Sequence, residues 1–170
     1  MALRTSVMTA ILCMGFFGVL LGQSNREATP EPKFTELTRE DSAKLEQQRG
    51  VVAAAAKQRY GTTALTRTKR DLQVLQELID DKAFNRSQTY ELQSLGVAVG
   101  DVLVSELPLR WVMVTDEYGT DPTLRFKDTT LQINALTMIS KRVERNEAVS
   151  VLELVQITRD QLARLENKVR

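Results

Sequence analysis

Asp116, Glu117 and Asp121 crowd the stretch Asp116-Glu117-Tyr118-Gly119-Thr120-Asp121-Pro122, the densest polar constellation in the chain. Two carboxylates can divide acid and base duties when their surroundings push their pKa values apart, the arrangement of a carboxylate-dependent hydrolase. Carboxylates around a glycine turn can also offer hard oxygen ligands to Ca²⁺ or Mg²⁺. The same residues have a plainer use. A tight connection between strands wants Gly119 for positive φ, Asp121 to bond nearby backbone and Pro122 to fix φ. The spacing does not follow the EF-hand Ca²⁺ loop. The leading role of Asp116, Glu117, Tyr118, Gly119 and Asp121 is therefore turn formation, and next a binding loop, ahead of metal binding or catalysis.

Ser140-Lys141-Arg142 could suggest a serine nucleophile with a lysine base. Adjacent helical residues point about 100° apart, however, and seldom share a proton. Lys141, Arg142 and Arg145 read as the solvated face of a helix that can meet an acidic partner. No glycine-rich phosphate cradle is expected, because Gly15-Phe16-Phe17-Gly18 falls in an apolar leader. Trp111 and Phe126 read as core residues.

The rest of the chemical inventory is short. The 170 residues include no histidine and a single cysteine, Cys13. That excludes His-based triads, Cys/His zinc sites, His-ligated haem and any intrachain disulfide. Lys+Arg 23 against Asp+Glu 22 gives a net charge of +1, without the basic footprint of a nucleic-acid binder. Neither a cofactor nor a nucleic-acid partner is expected.

The elements that must position these residues follow from caps and periodicity. Thr38, with Asp41 three residues on, starts a helix that runs through Ala53-Ala54-Ala55-Ala56 to a stop at Gly61. Leu45, Val52, Ala56 and Tyr60 share its stripe. A second helix is expected from Thr68, with Asp71 as its third residue and Leu72, Leu75, Leu78 and Ile79 buried. A third, from about Ser87 to Leu107, is the most apolar, and its Gly96 and Gly100 permit close backbone packing. Arg110 to Thr115 is apolar on both faces, as in a covered strand. Leu124 with Phe126, and Leu131 with Ile133, alternate as two more strands. Leu136 to Arg145 returns to helical spacing. The last helix opens on Ser150-Val151-Leu152-Glu153, a capping box. Val151, Val155, Thr158, Leu162, Leu165 and Val169 then form a heptad seam, which either packs on its own domain or makes a homodimer.

An N-terminal address precedes these elements. Arg4, the apolar run Val7 to Leu21 and Gly22-Gln23-Ser24 form a signal-peptide pattern with cleavage after Ser24. A spanning helix needs about 20 apolar residues, so an uncleaved anchor is the lesser reading. Cys13 sits inside the run and does not suggest lipidation. Residues 1–24 are thus read as a signal peptide, 25–37, with Pro30 and Pro32, as a flexible linker, and 38–170 as one domain.

Three segments resemble a known family. Glu91-Leu92-Gln93-Ser94-Leu95-Gly96-Val97-Ala98-Val99-Gly100-Asp101, Trp111 to Pro122, and Leu136-Thr137-Met138-Ile139-Ser140-Lys141-Arg142-Val143-Glu144 are similar to the bacterial domain-of-unknown-function family 3806. The resemblance runs from about Leu72 to Val151. It implies a bacterial source and a helix–meander–helix body, and it supplies no catalytic residue. The expected fold is α+β, with three N-terminal helices, a three-stranded antiparallel meander and two C-terminal helices. The expected function is a non-enzymatic module, exported to the periplasm or beyond, that binds a protein or envelope component and has no membrane contact beyond the signal peptide. The alternatives are a hydrolase or metal-binding enzyme using the Asp116–Asp121 loop, and a periplasmic immunity protein that blocks a toxin.

Overall fold

The computed structural model describes residues 31–61 and 64–169. The expected signal peptide, with Cys13, lies outside the described residues, as does the linker up to Pro30. The architecture is α+β: five helices and one antiparallel sheet of order β1-β2-β3-β4. No helix among the described residues is long and apolar enough to cross a membrane.

Local chemistry sets the ends of α1 (Arg39–Tyr60). Thr38 Oγ1 accepts from the Asp41 N–H at 3.1 Å, and the Asp41 carboxylate accepts from the Thr38 N–H at 3.0 Å. Gly61 closes the helix at φ 68°, the left-handed conformation that a side chain resists. The second helix departs from expectation. Lys69–Asp71 is a 3₁₀ turn, and α2 runs Leu72–Asp80. Asp71 does not complete a box with Thr68. Its buried carboxylate accepts from the Thr66 N–H, the Thr66 hydroxyl and the Arg67 N–H, and so holds a loop in which Arg67 has φ 59°.

The central element is α3 (Thr89–Glu106), in which every residue from Ser94 to Leu103 is buried. Helix α1 packs on it through Leu45, Val52 and Ala56. On another side lies α4 (Leu136–Glu144), whose N-terminal end approaches the backbone of α3 at Gly96. A Cβ on Gly96 would run into the Ala135 carbonyl oxygen and come within 2.6 Å of that of Leu136; one on Gly100 would meet the Trp111 ring at 2.5 Å. The glycine spacing thus marks a close crossing.

The sheet has four strands where the sequence suggests three. Strands β2 (Leu109–Asp116), β3 (Gly119–Phe126) and β4 (Gln132–Ile133) form the expected meander. Strand β1 (Lys33–Thr35) is the addition, pairing Lys33 with Thr115 and Thr35 with Met113. It corrects the reading of 25–37 as linker throughout. The edge of β2 carries backbone donors and acceptors that need partners, and Phe34 adds a contact, with the Arg125 guanidinium 4.5 Å from its ring. Trp111, Leu124 and Phe126 turn toward the helices.

Helix α5 (Val151–Val169) buries Val151, Val155, Thr158 and Leu162 against its own domain. These four seam positions are thereby occupied within the chain. Leu152 and Ile157 remain outward, 67% and 44% exposed.

Candidate functional site

The constellation at 116–121 is the tip of the β2–β3 hairpin. Asp116 pairs with Gly119 across the ladder, so only Glu117 and Tyr118 form the loop. Neither takes positive φ; Gly119 does, at 131°. Asp116 Oδ1 accepts from the Tyr118 N–H at 2.8 Å, the local bond by which an aspartate shapes a turn. The Thr115 and Thr120 hydroxyls bond across the strands at 2.9 Å. Glu117 hydrogen-bonds the Tyr118 phenol and raises its pKa, while Tyr118 itself is 86% exposed. Asp121 sits opposite Val114 with its side chain in solvent. Asp116 and Asp121 border one hollow that Glu117 does not line, and among the described residues no three of His, Cys, Asp or Glu group as metal ligands. The geometry is that of a turn with an exposed aromatic tip.

Beside this tip the surface is concave. Asp116, Tyr118 and Asp121 face Asn134, Thr137 and Lys141 across a hollow of about 450 Å³. The hollow adjoins a second, also about 450 Å³, between α4 and α5; Gln132, Asn134, Thr137 and Lys141 line both. The floor of the second is apolar, built from Leu131, Ile133, Met138, Leu154 and Leu162. Its rim carries Lys141, Arg142 and Arg145 against a single carboxylate, Glu147. Arg142 donates to the Met138 carbonyl at 2.6 Å, and Arg145 stands 3.9 Å from Glu147. Ser140 is buried at 2% exposure while Lys141 points to solvent, so the two are not a nucleophile and its base.

Sequence reasoning misses the strongest electrostatic cluster. Asp101, 6% exposed on α3, accepts Arg49 Nε at 2.6 Å and Nη2 at 2.7 Å, a bidentate pair, and Trp111 Nε1 at 3.0 Å. The bonds to Asp101 raise the Arg49 pKa further above its ordinary value. Glu46 accepts from Arg49 at 3.0 Å and from Arg67 at 2.9 Å. One carboxylate thus ties α1, α3 and β2 together. Every buried side-chain polar atom among the described residues has a partner, so the cluster acts as a structural clamp between these elements. A charge in the middle of the most apolar helix is the signal that could have pointed to it.

Residues 71–154 match the family model described as Domain of unknown function (DUF3806). The match takes in the hairpin, α4 and the start of α5; it includes Asp101 and Trp111 but not Arg49. A crystal structure from Bacteroides thetaiotaomicron VPI-5482 at 1.50 Å resolution is similar, with TM-score 0.70 and 16% identity over 78% of this chain and 49% of that one. The chain spans about half the length of that protein, and the likeness is one of fold. No curated protein matches.

Proposed function

We propose, for a chain whose residues 71–154 form a domain of the family described as DUF3806, that it is an exported module that binds a protein or envelope component without catalysis. The observation that carries this reading is the trough that runs from the hairpin tip to α4 and α5. It joins an apolar floor to convergent polar and cationic groups, the composition of a binding groove. Two further points support it. The chain has no histidine, and Asp116 is engaged in shaping the turn. Export is supported by Arg4, the apolar run Val7 to Leu21 and the small residues that follow.

A photoreactive side chain at Thr137, on the trough, can be compared with one at Gln73, exposed on α2. In the native envelope the expected outcome is a discrete adduct from Thr137 alone. Adducts from neither position, or equally from both, would overturn the binding reading. N-terminal sequencing of the same material should begin near Asn25; Met1 retained would overturn cleavage.

A further inference from the structure

The trough between α4 and α5 has a chemical polarity that narrows its occupant. We infer that it takes an acidic amphipathic segment of a protein partner, apolar side chains on the floor and carboxylates against Lys141 and Arg145; this rests on the binding reading above.

Lys141 and Arg145 are four residues apart at the end of α4, so they stand on one side of the helix and overhang the same hollow. Cations in a last helical turn often serve the helix itself, by offsetting its dipole and bonding free carbonyls. Arg142 is held within its own helix, on the Met138 carbonyl one turn back. Lys141 has no ion-pair partner among the described residues, and Arg145 has only the long contact to Glu147. Lys141 and the loosely held Arg145 are therefore placed to meet carboxylates from outside. Beneath them Met138 and Ile133 are half-buried, and Ile157, 44% exposed, extends the apolar strip along α5. An apolar groove whose rim sets three cations against one carboxylate selects a segment in which carboxylates alternate with apolar residues, since rim charges steer and orient a partner whose apolar face supplies the burial. The cations lie over a concave trough between helices, a shape that suits an inserted peptide better than a flat bilayer surface.

A display library of random peptides, selected on the full chain at low salt, tests this. Enriched peptides should be acidic and apolar, and synthetic copies should weaken about tenfold or more on Lys141→Glu/Arg145→Glu and lose affinity as salt rises. Both positions are exposed, so the double variant should keep its fold, which circular dichroism checks. Ile157→Ser should weaken the same peptides without changing their preference for acid. Peptides that are enriched but neutral or basic, or indifferent to the charge reversal, would overturn the inference while the binding reading stands. Enrichment of none, together with co-sedimentation on phosphatidylglycerol vesicles that the reversal abolishes, would assign the rim to lipid and overturn it. The Thr137 adduct separates a failed inference from a failed binding reading.

Discussion

Asp101 holds three elements with one carboxylate, and its energetics follow from burial. An ion pair out of water gains strength from low dielectric but bears the desolvation of both charges. Breaking it by halves is therefore worse than removing it. Asp101→Asn should destabilise the protein by about 3 kcal/mol in urea unfolding, because Arg49 keeps its charge in a site only 15% exposed. Asp101→Leu combined with Arg49→Met should recover most of that loss, short of about 1–2 kcal/mol for the stranded Trp111 N–H. A single variant as stable as the parent would show that the clamp contributes nothing. This cluster is illegible in the sequence for a simple reason. Arg49 and Asp101 are 52 residues apart, and nothing local to either names its partner.

Among the elements, the glycines of two helices separate packing from propensity. Gly50 lies inside α1 with open space where a Cβ would go, so Gly50→Ala should stabilise by roughly 0.5–1 kcal/mol through the unfolded chain. Gly96 faces backbone, which cannot swing aside as a side chain can. Gly96→Ala should cost roughly 1–3 kcal/mol despite its better propensity. Thermal melts of the pair should move in opposite directions; a shared direction would deny the close α3–α4 crossing. The hairpin behaves by its own rule. Asp116→Asn keeps an oxygen for the Tyr118 N–H and should stay within about 0.5 kcal/mol, whereas Gly119→Val meets φ 131° and should cost more. Millimolar Ca²⁺ should not raise the melting temperature, and a rise lost in Asp116→Asn would install a metal site instead. Helix ends were readable where a cap declares them, as at Thr38 and Gly61. Strand β1 was not, because the alternation of Lys33-Phe34-Thr35 covers only three residues, too short a run beside two prolines to declare a strand.

On the scale of the whole molecule, the candidate surface draws on residues from Val114 to Leu165, and no single segment of sequence announces it. The hairpin was legible as a turn, and the cations of α4 as a face able to meet an acidic partner. That the two border one trough depends on how β4 and α4 lie between the hairpin and α5, which periodicity does not encode. The order in which the sheet is completed has a consequence for synthesis and transport. Strand β1 leaves the ribosome ahead of the other described elements, yet its partner ladder ends at Thr115. Contacts so distant in sequence close slowly, and they cannot close at all until the second residue exists. The middle strands can pair as a local hairpin long before β1 docks. A chain of this topology threaded through a translocation channel would pass with its leading strand still single. The sheet would be finished only on the far side, where β1 seals the edge that β2 had left open.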